Sequence, residues 1–225
     1  MPSKYFIRNF QPRTYHHIFN RGSFKHKIFR KKKDYETFID ILKYYLRYPT
    51  LSPLSKLSHL KLANASKTKQ QTVKPYQLNA YCLMPNHFHF LLFQKEKFPT
   101  LSDFIKKISI TYAMYFQQQY HHSGRLFQGR FKSVKIFDDP QLLYLTKYIH
   151  LNPIKLTEGC DPSIYPYSSL RDYLLLNKSE KDWLDSTTIL KKFYPKSLNP
   201  QQKYLSFILD TKDASPAFLK DSALD

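Results

Sequence analysis

Apolar positions along the chain follow two rhythms, alternation in some stretches and a spacing of three to four in others. Residues 14–21, TYHHIFNR, alternate around β-favouring Tyr, Ile and Phe and predict a strand closed by Gly22. Asp34 is expected to N-cap a helix whose stripe, Tyr35, Phe38, Ile39, Leu42 and Leu46, ends before Pro49. Two strands follow, Tyr76–Met84 and Phe88–Gln94, joined by the turn pair Pro85-Asn86. Thr100, with Asp103 three residues on, caps a long helix striped by Leu101, Phe104, Ile105, Ile108, Tyr112, Tyr115 and Phe116. The segment 121–124 stops it. Residues 125–137 read as a strand with cationic alternation, and Asp139-Pro140 opens a helix, Asp as N-cap, that Pro153 closes. A last helix is expected around Gln202–Leu209. The order β-α-β-β-α-β-α predicts an α+β fold of the ferredoxin-like plan, an antiparallel sheet with helices on one face.

Residues 51–75 break the pattern, with five lysines, four serines, two prolines and no acid. This is a basic surface insertion; the competing reading is a short amphipathic helix through Leu51, Leu54, Leu57 and Leu60, which Pro53 opposes. The organisation is thus a domain over 1–175 carrying this insertion, followed by an extension over 176–225.

Charge changes the picture most. The 225 residues hold 36 Lys+Arg against 17 Asp+Glu, a net charge of +19, which puts nucleic acid ahead of an anionic membrane as partner. At 42% hydrophobic the chain can bury a core, so wholesale disorder is excluded. Only four glycines occur, in neither a dinucleotide fingerprint nor a phosphate loop. Cys82 and Cys160 cannot form a disulfide scaffold and fit a reducing compartment. No apolar run approaches the roughly 20 residues that span a bilayer, and the N-terminus lacks a secretory apolar region. A cytoplasmic protein is expected.

Two short segments carry candidate chemistry. In MPNHFHFLL, strand alternation places His87 and His89 on one face and Phe88 and Phe90 in the core, so the two imidazoles could chelate one divalent ion with a third ligand from elsewhere. Solvated or hydrogen-bonded histidines are the alternative. In YLTKYIHLNP, Tyr148 and Asn152 lie four apart on one helical face beside the stripe of Leu142, Leu145 and Ile149, with Asn152 in a frayed last turn before Pro153. A phenol is roughly 0.1% ionised at neutral pH. Attack on a phosphodiester becomes feasible when a metal stabilises the developing charge. Tyr148 could equally be one more core tyrosine.

Taken together, RTYHHIFNRGSFKHKIF, AYCLMPNHFHFLL, GRLFQGRFKS and YIHLNPIK resemble the IS200-like transposase family, most closely its REP-associated tyrosine transposase branch. The resemblance runs from about Tyr15 to Tyr173. It implies the HUH-type fold of that family and a nucleoid-associated enzyme that cuts and rejoins single-stranded DNA near hairpins through a 5′-phosphotyrosine link. It also implies that His87 and His89 bind the metal, that Tyr148 is the nucleophile, and that Asn152 completes a site for Mg²⁺ or Mn²⁺. Whether the tyrosine helix docks on its own chain or on a partner's in a homodimer stays open.

Arg125, Gln128, Arg130 and Lys132, interleaved with Phe127 and Phe131, suit phosphates and stacked unpaired bases; the plainer alternative is a solvated strand face over buried rings. Arg21, with Arg8, Arg13, Arg30 and Lys31–Lys33, is a candidate grip on a hairpin stem, or simply an exposed charge run. The neighbouring histidines His16, His17, His121 and His122 point in different directions and predict no second metal site. A non-cutting hairpin-binding protein derived from a transposase, and a metal-dependent hydrolase using water, are the competing functions.

Overall fold

The computed structural model describes residues 10–50, 74–156, 161–174 and 182–210. Four strands, β1 (Thr14–Arg21), β2 (Tyr76–Met84), β3 (His87–Gln94) and β4 (Lys132–Ile136), form one sheet in the order β2-β3-β1-β4. Every neighbouring pair is antiparallel. Helix α1 (Lys32–Arg47) links β1 to β2, and α2 (Leu101–Tyr120) links β3 to β4. This is the expected βαββαβ ferredoxin-like sheet.

Both linking helices cover one face. Their stripes (Phe38, Leu42 and Tyr45 on α1; Phe104, Ile108 and Tyr112 on α2) bury against Ile18, Leu83, Phe88, Phe90 and Leu92. The expectation of helices on one face only is corrected by α3 (Asp139–Leu151), α4 (Leu170–Leu174), α5 (Thr187–Phe193) and α6 (Pro200–Leu209). These pack Leu142, Leu145, Ile149, Tyr173, Leu190 and Tyr204 over Ala80, Cys82, Met84 and Leu91. The reason is alternation: the strands are apolar on both sides, so both faces had to be covered.

Several boundaries moved. Asp34 is the third residue of α1, not its N-cap; Lys31 is the N-cap, and the buried Asp34 carboxylate reaches back to accept from the backbone N–H groups of Arg30 (2.8 Å) and Lys31 (2.9 Å). Tyr115 and Tyr120 donate to the same carboxylate, each at 2.7 Å, fastening α2 to the start of α1. Asp138, rather than Asp139, caps α3. The strand expected over 125–137 shortens to β4, because 125–130 instead runs beside the end of β1 through Gln128 N–H to Arg21 O and Ser23 N–H to Leu126 O. Most of the basic insertion, 51–73, lies outside the described residues, as do Arg8, Cys160 and residues 175–181 and 211–225. Among the described residues no helix is long and apolar enough to cross a membrane.

The helix α3 is fixed from behind by its buried polar residues. His150 bonds Tyr204 Oη through Nδ1 and Ser169 Oγ through Nε2, both at 2.8 Å, and Lys147 donates to Asp210 O. The extension therefore braces the helix that carries Tyr148. Helices α4 and α5 were not anticipated, being too short for a clear period.

Candidate active site

The second face of the sheet changes character along its length, from Leu91 and Ala80 in the middle to polar groups where β1 ends and β3 begins. Antiparallel register sets Arg21 opposite His87 and Phe19 opposite His89. His17, two residues before Phe19, lies diagonally from His89 on the same face. Gly22 is required at this end, since a Cβ there would stand 2.2 Å from His26 O. Helix α3 crosses above. Tyr148, half-buried, presents its ring edge-on 5.4 Å from the His89 ring and 6.1 Å from that of His17. Asn152, one turn on, is buried and keeps helical angles (φ −51°, ψ −39°) instead of fraying, because Nδ2 donates to Tyr148 O at 2.8 Å. His87, His89, Tyr148 and Asn152 thus converge, all from one chain.

Hydrogen-bond partners decide which ring nitrogens are open. Asn86 donates through Nδ2 to Lys25 O, so its Oδ1 faces His87 Nδ1 at 2.6 Å. That oxygen can only accept, so the hydrogen of neutral His87 sits on Nδ1 and Nε2 keeps a lone pair. Nε2 faces Asn152 Oδ1 at 3.5 Å, another lone-pair donor whose orientation the bond to Tyr148 O fixes. Two lone pairs facing each other are favourable only around a proton or a cation. His89 adds a third donor: its Nε2 is buried and has no hydrogen-bond partner. Among the described residues no group of three or more His, Cys, Asp or Glu could hold a metal. An ion here would therefore use two imidazoles and an amide oxygen; with added water that set accommodates Mn²⁺ or Mg²⁺, while the imidazoles equally accept softer divalent ions.

Burial keeps the imidazoles of His89 and His17 neutral, as ligation by His89 requires. Desolvation pushes the His89 pKa well below its ordinary value, reinforced by the charges of His17, His87, Lys155 and Arg21. Desolvation alone lowers His17 to about 3.

The expected DNA-contacting residues divide. Arg125, Gln128, Arg130 and Lys132 are exposed beside this end of the sheet, and Arg21 is half-buried with its Nε buried and unpartnered. Phe127 and Phe131, by contrast, are 8% and 7% exposed and cannot stack bases; they belong to the core. A solvent-facing ring nearby is Phe24, 87% exposed in a turn with left-handed backbone (φ 51°), its centre 6.2 Å from that of His26. Sequence reasoning did not identify Phe24, Asn86 or Lys155, whose Nζ lies 5.5 Å from the centre of the Tyr148 ring. It rightly sent His16 and His17 to opposite faces, yet His17 joins the site. Only the register of β1 on β3 reveals that.

Fold and site together define a ferredoxin-like domain that sets a tyrosine beside a histidine pair. Residues 56–152 match the family described as Transposase IS200 like. This matched segment contains all four converging residues. The family match starts inside the basic stretch and does not include β1. The fold is similar to a solved structure described as the REP-associated tyrosine transposase bound to a REP hairpin, at 16% identity and TM-score 0.52, covering 80% of this chain and 92% of that one. A putative transposase from Deinococcus radiodurans R1 is also similar at 16% identity, TM-score 0.37, covering 63% of this chain and 92% of that one. No curated protein matches the chain significantly.

Proposed function

We propose that the protein is a single-strand DNA transposase that cleaves and rejoins DNA beside a hairpin, with Tyr148 as nucleophile. The observation that carries this reading is the placement of the Tyr148 ring 5.4 Å from His89, with Asn152 Oδ1 and His87 Nε2 on the same side. The phenol of Tyr148 loses its proton, its oxygen bonds to phosphorus, and the P–O3′ bond breaks. The 3′ oxygen takes up a proton and the 5′ side remains on the tyrosine. Reversal by another 3′-hydroxyl rejoins the strand without ATP, in keeping with a chain that has no nucleotide-binding loop. A Mg²⁺ or Mn²⁺ held by His87, His89 and Asn152 would supply charge to polarise the phosphodiester. Lys155 favours the phenolate by its charge, and Arg21, with an unpartnered Nε, suits a nearby phosphate. Phe24 offers the stacking surface that Phe127 and Phe131 do not.

The hairpin preference is supported by the similarly folded transposase, whose structure holds a REP hairpin. A labelled oligonucleotide with a hairpin and a single-stranded flank, incubated with protein and Mn²⁺, tests the reading. One cut in the flank is expected, leaving a free 3′-hydroxyl and no free 5′-phosphate. Products with both ends free would assign the chemistry to water, and retention without cutting would leave a binding protein.

A further inference from the structure

His87 and His89 face one requirement and meet it by different means. Each must keep Nε2 bare to serve as a ligand, so each needs its hydrogen held on Nδ1. For His87 an amide oxygen, Asn86 Oδ1, enforces this. The Nδ1 of His89 instead lies 2.8 Å from Nε2 of His17. Two neutral imidazoles can share that bond in two ways. If His17 donates, His89 accepts at Nδ1 and carries its hydrogen on Nε2, which closes that nitrogen to a cation. If His89 donates, Nε2 is open and His17 carries its own hydrogen on Nδ1.

We propose that His17 is a positioning residue that accepts the Nδ1–H of His89 and thereby holds His89 in the tautomer whose Nε2 can bind a divalent cation. This role rests on the metal reading of the site. The ring of His17 is suited to it: fully buried, stacked on Phe19 at 4.6 Å and lying within 18° of parallel to His89 at 5.1 Å. No other group competes for its tautomer, because Nδ1 of His17 has no hydrogen-bond partner. Its neighbours across the sheet are Leu91 on β3 and Val134 on β4. A residue needed only to fill this position would be apolar like them, and an imidazole with one orphaned nitrogen is a poor filler.

The test has two arms. In the metal-free wild-type protein, ¹⁵N spectra of the histidine rings are expected to show His89 protonated at Nδ1 and bare at Nε2. A hydrogen on His89 Nε2 would overturn the proposal, and this arm needs no variant to fold. In the second arm, Mn²⁺ affinity is measured by titration with protein alone. His17→Phe keeps the ring and removes the acceptor, and is expected to weaken binding about 10–100-fold. His17→Gln, whose Oε1 can accept from His89, is expected to stay within a few-fold of wild type. A His17→Phe protein that binds Mn²⁺ as tightly as wild type would also overturn the role. Wild-type protein that binds no Mn²⁺ would remove the metal reading, and this role with it, a result distinct from tight binding that ignores residue 17.

Discussion

The two faces of the sheet are cut from the same strands and differ in how their buried atoms are satisfied. On the face under α1 and α2, Phe38, Phe88, Phe90 and Tyr112 fill the core, and the buried carboxylate of Asp34 accepts four hydrogen bonds. On the face under α3, alternate residues of the same strands, His17 and His89, each keep a buried nitrogen without a partner. A buried unsatisfied group costs about 1–3 kcal/mol. The difference teaches where to look: the first face also leaves an atom unpartnered, the phenol oxygen of Tyr76, but the second leaves imidazole nitrogens, which can ligate a cation.

Variants should separate the faces, and the largest separation comes from the hydroxyl. Tyr148→Phe should reduce strand cleavage by about 10³-fold or more, as loss of a nucleophile does, while hairpin retention in a gel-shift assay stays within a few-fold. Loss of both together would mean that Tyr148 serves the fold. His87→Ala should reduce cleavage by about 10²-fold or more and spare binding, since phosphate contacts elsewhere carry the affinity. Its thermal midpoint should move little, because His87 is only half-buried. On the other face the order inverts. Phe90→Ala should destabilise the fold by about 3–5 kcal/mol in urea unfolding, with the folded fraction still cutting normally.

Acid should act through buried histidines on both sides of the sheet, His17 and His150 with the second face and His16 on the first. Burial holds His17 and His150 near 3 and, with the charge of Lys135, His16 near 4. In the unfolded chain each returns to about 6.5, so below that pH the unfolded state binds more protons and stability falls. The contribution is complete above about 6.5 and is lost as pH drops towards 3, at about 1.4 kcal/mol per pH unit for each such histidine. Urea midpoints measured from pH 7 to pH 5 should therefore decline steeply, and a flat profile would contradict the burial of these rings. The smallest effect concerns the rim. Arg130→Ala should weaken binding to all sequences alike and make the log–log salt dependence shallower by about 1, whereas a sequence-selective loss would place Arg130 on a base.

The sequence made the first face legible almost entirely, since the periods of α1, α2, β2 and β3 alone assign its residues. It also put His87 and His89 on one strand face and Tyr148 and Asn152 one turn apart, spacings that survive folding because β3 holds the first pair and helical angles run on from α3 through Asn152. What it could not supply depends on contacts between elements. The pairing of His17 with His89 requires the β1–β3 register, and the burial of Phe127 and Phe131 requires knowing that 125–130 folds back along Arg21. The tautomer of His87 depends on an Asn86 amide whose orientation the Lys25 carbonyl sets. The brace on α3 through His150, Ser169 and Tyr204 joins segments that share no local signal.

The central claim is that the Tyr148 hydroxyl and the paired imidazoles act on one phosphorus atom. The most direct measurement is mass spectrometry of the protein after incubation with a hairpin-bearing single strand and Mn²⁺, followed by denaturation. The account predicts an oligonucleotide-sized addition on the peptide containing Tyr148, absent from Tyr148→Phe and from reactions with chelator. An adduct that survives Tyr148→Phe, or efficient cutting with no adduct at any time point, would contradict it.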